Sequence, residues 1–233
     1  EIGKYYESDE YISHSNTSRG LINKLYKIVR NITLNKKVKL LKALSSKRKL
    51  LDIGSGTGEF LNHARNNGFE VAGIEPSEIG RKQSKENFKL SIDTEDALAN
   101  YNDGEFDFIT MWHVLEHVYN LNERIESIDR ILDANGYLVV AVPNRLSYDA
   151  EKYQEHWAAY DVPRHLYHFR PEDIKTLFEK HKFELKKIAP MKFDSFYVSM
   201  LSEKYKNKKS GLLSALSVGL ISNLKGKNAN KYS

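Results

Sequence analysis

Leu50-Leu51-Asp52-Ile53-Gly54-Ser55-Gly56-Thr57-Gly58 reads as an apolar strand that ends on an acid and then breaks into three alternating glycines. Each glycine removes a Cβ, so the backbone can turn sharply and lie against a ligand. A helix predicted to start near Glu59 turns its unbonded N–H groups towards the same space. Glu75 follows 21 residues after Gly54, at the end of a second strand-like run, Glu70-Val71-Ala72-Gly73-Ile74. In nucleotide-binding βαβ units an acid at about this distance accepts hydrogen bonds from ribose hydroxyls.

Outward from this run, strand-like and helix-like segments alternate from residue 48 to residue 143. Strands are predicted at 48–53, 70–74, 88–92, 106–111 and 137–142, and helices at 59–66, 77–87 and 122–132. Ile125, Ile128, Ile131 and Leu132 stand at helical spacing, Asn135-Gly136 supplies a turn, and Pro143 ends the fifth strand. The alternation implies an α/β fold: a Rossmann-like, doubly wound, mostly parallel sheet.

Flanking segments extend this core. Residues 1–47 read as mainly helical, with Leu21, Ile22, Leu25, Ile28 and Val29 on one apolar face and Val38, Leu40, Leu41 and Leu44 on another. Residues 144–170 form a long connection without periodicity, a kind of segment that is usually functional. Pro171-Glu172-Asp173 then starts a helix, and 183–189 reads as a sixth strand. Past Pro190 the pattern is helical, through Phe193, Phe196, Tyr197, Met200 and Leu201, with a further amphipathic stretch at 212–224. The expected organisation is an N-terminal helical segment (1–47), a main domain (48–189, with 144–170 inserted) and a C-terminal helical extension (190–233).

The glycine spacing separates two ligand classes. Dinucleotide loops read G-x-G-x-x-G and receive a pyrophosphate. Here the pattern is D-x-G-x-G-x-G, and a carboxylate beside the loop repels phosphate while suiting a cation or an ammonium group. S-adenosylmethionine carries a sulfonium, an α-amino group and a ribose, and no phosphate. On these residues the chain resembles the class I S-adenosylmethionine-dependent methyltransferases. An NAD-dependent oxidoreductase on the same fold, or a glycine-rich turn with no ligand, is the competing reading.

The resemblance implies S-adenosylmethionine as cofactor and S-adenosylhomocysteine as product. It implies that Gly54 and Gly56, with Gly58, bring backbone close to the methionine part, that Asp52 receives the ammonium, and that Glu75 holds the ribose. A residue after the third strand reads the adenine; within Thr94-Glu95-Asp96 the first choice is Glu95, against a capping or solvated role. An N-terminal extension in such enzymes folds over the cofactor as a lid, for which Tyr5, Tyr11 and His14 are the candidates. The expected sheet also has a late antiparallel strand; none is convincing, and the chain is expected to stop short of it.

Histidines supply the candidate general bases. Trp112-His113-Val114-Leu115-Glu116-His117 resembles the H-V-L-E-H stretch of small-molecule methyltransferases, including relatives of the ubiquinone-pathway O-methyltransferases. Strand ends bind ligands in open α/β sheets, so Trp112 and His113 are expected to face sulfonium and substrate, with His117 on the same side. Asp161-Val162-Pro163-Arg164-His165-Leu166-Tyr167-His168-Phe169 resembles a second segment of one subgroup. There His165 is the first choice of base, while Arg164, His168, Trp157 and Tyr160 are candidate substrate contacts. The alternative is structural: Arg164 paired with Asp161, and the histidines tying the loop down. Tyr11, Trp112 and Trp157 offer aromatic surfaces for a sulfonium. No metal is expected, since neither H-E-x-x-H nor clustered ligand spacing occurs.

Composition narrows the rest. There is no cysteine and no apolar run of about 18 residues. The start Glu1-Ile2-Gly3-Lys4 lacks a signal pattern and a methionine, as in a trimmed chain; a cytoplasmic protein is the default expectation. The net charge of +5 is concentrated in seven lysines, with no acid, from Lys204 to Lys231. This tail is no whole-domain basic stripe, so nucleic acid is not an expected partner. Peripheral membrane contact through 203–233 is an open alternative to a solvated end. The expected reaction is methyl transfer to a small-molecule acceptor, at a hydroxyl oxygen, with a lipid-linked or macromolecular acceptor as the alternative. Oligomeric state is not readable.

Overall fold

The computed structural model describes residues 21–207, 211–229 and 232; Tyr5, Tyr11 and His14 lie outside them. The chain divides into two compact units at Ala141/Val142. In the first, α1 (Leu21–Leu44), β1 (Lys49–Ile53), α2 (Glu59–Arg65), β2 (Glu70–Ile74) and α3 (Glu78–Phe88) are followed by β3 (Phe106–Trp112), α4 (Leu121–Ile131) and β4 (Leu132–Ala141). The strands form one sheet in the order β2-β1-β3-β4, with every pairing parallel.

Alternation along the strands sorts the core. Leu50 and Phe108 point to the face covered by Val38 and Leu41 of α1 and by Phe60, Leu61 and Ala64 of α2. Their neighbours Leu51 and Ile109 point the other way and are also fully buried. A parallel sheet covered on both faces needs such near-continuous apolar strands. Ile125, Ile128 and Ile131 of α4 are fully buried at the expected spacing. The two apolar faces read in 1–47 belong to one continuous helix, in which Val38 and Leu41 are buried whereas Ile28 and Ile32 are exposed.

Two expected strands are not formed. Over 88–92, α3 runs on to Phe88 and closes on Lys89 at φ 57. The two apolar residues left, Leu90 and Ile92, join the α1–α2 core, and only Asp93 bridges to Ile74. Over 183–189 no strand forms: Phe183 N–H returns to Phe178 O, and both Leu185 and Ile188 are exposed, so no buried face rewards pairing. The expected Asn135-Gly136 turn lies inside β4. Leu132 pairs with Phe106 and Tyr137 with Phe108, so the residues between them bulge out. Asp133 fixes the bulge by accepting from Asn135 N–H (2.9 Å) and Lys47 Nζ (2.8 Å).

The second unit is helical: α5 (Tyr148–Tyr153), α6 (Pro171–Lys180), α7 (Asp194–Asn207) and α8 (Leu212–Ala229), with two 3-10 turns after α5. The connection at 144–170 is therefore partly structured, and Tyr153 and Trp157 form its core with Ala150, Ala159 and Val218. The helices α7 and α8 fall where expected with the opposite face inward. α7 buries Ser195, Ser199, Ser202 and Glu203 and exposes Tyr197 and Met200. The helix contact is close at Gly219, where a Cβ would lie 2.6 Å from the Phe196 ring.

Candidate active site

The chain leaves β1 for β2 on one side of the sheet and returns to β3 on the other. The carboxyl ends of β1 and β3 therefore flank the topological switch point, where open α/β sheets bind ligands. Asp52 and the glycine loop sit at the end of β1; Trp112 and His113 sit at the end of β3.

Asp52 is 2% exposed, and its Oδ1 accepts from Thr110 Oγ1 at 2.5 Å, across the register pairing of β1 with β3. Burial pushes its carboxyl up to about 7; the Thr110 hydrogen bond and the Lys37 charge pull against this, and Glu75 adds to it. An acid in this state gains from a nearby cation.

The three glycines do different jobs. At Gly54 (φ +73) a Cβ would lie 2.3 Å from Val114 Cγ2, and at Gly58 (φ +79) 2.2 Å from Ser84 Oγ. Both are closed by protein. Gly56 also has positive φ (+55), yet a Cβ there meets nothing within 4 Å among the described residues: its open side is the one available to a ligand.

Glu75 is partly buried and braces the loop. Its Oε2 accepts from Gly56 N–H (2.7 Å) and its Oε1 from Ser77 N–H (2.8 Å). Burial raises its pKa and these two N–H groups hold it down. Each oxygen keeps a second lone pair for a further donor. Arg81 bonds the Glu75 carbonyl oxygen at 2.6 Å, and Gly80 lets α3 approach: its Cβ would lie 3.0 Å from Gly56 O.

Trp112 makes an edge contact with Phe60 (centroids 5.5 Å) and carries Lys37 Nζ over its ring at 4.0 Å. Its indole N–H is buried and finds no acceptor among the described residues. His113 is exposed at φ +58, a strained position for a residue with a Cβ. Its Nδ1 is 3.7 Å from the carboxylate of Glu116, which is fully buried. His117 ends a 3-10 turn, Leu115–His117. Glu95 begins a 3-10 helix and pairs with Arg124 at 2.7 Å.

In the second unit, the segment 159–168 is tied by its own polar groups. Arg164 pairs with Asp161 at 2.5 Å, and His165 Nε2 lies 3.8 Å from the same carboxylate. His165 Nδ1 contacts Ala159 O at 2.8 Å, and His168 Nε2 contacts Tyr160 O at 2.9 Å. A carbonyl oxygen only accepts, so Nδ1 of His165 and Nε2 of His168 are the donors in these two contacts. Tyr160 packs edge-on against both Trp157 and His168. Trp157 is 2% exposed, with its Nε1 donating to Asp149 Oδ2 at 2.8 Å; the structure uses this candidate substrate contact as core.

A family model described as a methyltransferase domain matches residues 27–188, well over half of the chain. The chain belongs to this methyltransferase family. The Ubiquinone biosynthesis O-methyltransferase of Actinobacillus pleuropneumoniae is 36% identical over 110 residues, covering 42% of this chain and 47% of that protein. Its Pelagibacter ubique namesake is 27% identical over 158 residues, covering 63% and 65%. The chain thus spans less than two thirds of either relative. Among solved structures, a SAM dependent methyltransferase from Archaeoglobus fulgidus aligns with TM-score 0.56 and 22% identity, over 87% of this chain and 89% of that one. One from Aquifex aeolicus aligns with TM-score 0.54 and 16% identity, over 74% and 93%. These two likenesses concern the fold.

The domain is a class I, S-adenosylmethionine-dependent methyltransferase, and S-adenosylmethionine is its cofactor. The residues at the switch point fit that molecule: Glu75 accepts from the Gly56 N–H, Asp52 is buried at the end of the strand that leads into the loop, and the glycine spacing is not the phosphate-binding one. Sequence reasoning missed Thr110, Lys37, Val114 and Gly80. Thr110 was findable in principle, since strand register sets it beside Asp52; Lys37 was not, because only packing brings α1 to Trp112.

Proposed function

We propose that this methyltransferase moves the methyl group of S-adenosylmethionine to a hydroxyl oxygen of a small-molecule acceptor. The observation that carries the reading is the switch-point loop, with Gly56 open, Asp52 buried beside it and Glu75 locked by two loop N–H groups. The oxygen acceptor is supported by the two curated relatives, both named as O-methyltransferases. In this reading Asp52 receives the α-ammonium, Glu75 the ribose hydroxyls and Glu95 the adenine, with Gly54, Gly56 and Gly58 shaping the loop and Trp112 facing the sulfonium.

When bound, the cofactor supplies an electrophilic methyl carbon on a sulfonium, open to direct displacement by an acceptor oxygen. The chain's own residues must place that oxygen in line, exclude water and take its proton, and positioning carries much of the acceleration. His165 is the first candidate for the proton; His117 and His113 are the others. Arg164, His168 and Tyr160 belong with the acceptor contacts.

Incubation with methyl-labelled S-adenosylmethionine and a panel of hydroxyl, amine and thiol acceptors tests the reading, with products identified by mass spectrometry. Label on a hydroxyl oxygen is expected, and His165→Gln should lower kcat about 100-fold, as loss of a general base does. Label found only on nitrogen or carbon would overturn the oxygen reading.

A further inference from the structure

The helices α7 and α8 pack closely and turn small side chains inward. Ser195, Ser199 and Ser202 of α7 are buried, as are Ala215, Val218 and Ser222 of α8. Gly219 allows the close approach: a Cβ there would lie 3.0 Å from Phe196 Cα. Hydrogen bonds cross the contact. Ser195 Oγ donates to Gly219 O (3.2 Å), Asn223 Nδ2 donates to Ser195 Oγ (2.8 Å), and Ser214 Oγ donates to Glu203 Oε1 (2.5 Å). Small residues and hydroxyls at the contact are how helices associate in lipid, where apolar side chains gain nothing by turning inward.

The leucines of α8 point outward. Leu212 is 54% exposed, Leu213 84%, Leu216 43%, Leu220 53% and Leu224 62%. At 100° per residue they fall in one stripe about 120° wide, broad enough to be an apolar face in its own right. Lysines 204, 206, 208 and 209 precede the helix, and lysines 225, 227 and 231 come at its end, with no acid anywhere from 204 to 231. Among the described residues no helix is long and apolar enough to cross a membrane, so the stripe suits lying on a surface.

We infer that α8 docks this chain on an anionic membrane surface. The leucine stripe enters the boundary between headgroups and acyl chains, and the lysines meet lipid phosphates. Charge decides against a second copy as occupant: the segment 204–231 carries seven lysines and no acid, so two copies of it repel. This inference stands apart from the chemistry of the donor site.

Co-sedimentation of the full chain with vesicles tests it, using phosphatidylcholine alone and phosphatidylcholine mixed with phosphatidylglycerol. Binding is expected only to the anionic vesicles, and should fall as salt rises from about 0.1 M to about 1 M. The double substitution Leu213→Ser and Leu216→Ser, at exposed positions and without charge change, should cut binding about ten-fold or more while the melting curve stays put. Lys204→Glu with Lys206→Glu should weaken it independently. Failure of the wild-type chain to sediment with anionic vesicles would overturn the inference. So would a concentration-dependent dimer, seen by sedimentation velocity, that the leucine pair disperses.

Discussion

Leu50 in β1 is fully buried, and Leu213 in α8, with the same side chain, is 84% exposed. The difference lies in what each element packs against. A helix resting on a sheet leaves a gap of about 10 Å, which only large apolar side chains fill, and Leu50, Phe60, Leu61 and Phe108 fill it. The contact between α7 and α8 is drawn close at Gly219, so serines go inside and leucines stay out. Apolar periodicity therefore locates helices in both units, but names the inward face only where the spacing admits large residues.

The largest effect should come at the glycine loop. Gly54→Val places a branched side chain at φ +73, on top of Val114, and should abolish both donor binding and cooperative melting, followed by circular dichroism. Gly56→Ala separates fold from site: it meets open space, so strain of about 1–2 kcal/mol is all the fold should lose. Donor binding should nevertheless fall sharply, and an alanine variant that binds normally would remove Gly56 from the site.

Leu50→Ala should cost about 3 kcal/mol in urea unfolding, as deletion of a fully buried leucine does. Leu213→Ala should stay within about 0.5 kcal/mol, the range of surface substitutions. Equal losses would break the contrast between the units.

Asp52 should make the ligand-free chain pH-sensitive. Its carboxyl rises from 3.8 to about 7 on folding, mainly through burial. Between those values the folded state holds the extra proton, so this group's contribution is present at low pH and is lost as pH rises through the window. Asp52→Asn should flatten that decline in melting temperature measured from pH 4 to pH 8, while weakening donor binding. A decline of unchanged slope would place the titrating group elsewhere. A milder effect on the donor site is expected from Glu75→Gln, which keeps shape but loses charge: donor affinity should drop about ten-fold, the size of a lost charged hydrogen bond, as read by calorimetry.

Much of the first unit is legible in the sequence. The strand 70–74 falls where alternation puts it, and Ile125, Ile128 and Ile131 are buried as their spacing implies. The 88–92 segment misled because Leu90 and Ile92 are apolar for the sake of the α1–α2 core, and periodicity does not distinguish a plug from a strand. At the site, Asp52, Glu75 and the glycines are local in sequence and their grouping was readable. Lys37 over Trp112 and the Asp149 bond that buries Trp157 in the core arise from residues far apart or from helix packing, which no local pattern encodes. The Arg164–Asp161 pair was readable, since three residues separate its members, while the carbonyl partners of His165 and His168 depend on the fold of the loop.

Titration calorimetry of the folded chain with S-adenosylhomocysteine tests the switch-point site most directly. One site of micromolar affinity is expected, lost in Gly54→Val, weakened in Glu75→Gln, and absent in a parallel titration with NADH. A folded wild-type chain that takes up neither S-adenosylhomocysteine nor S-adenosylmethionine, or that binds NADH instead, would contradict it.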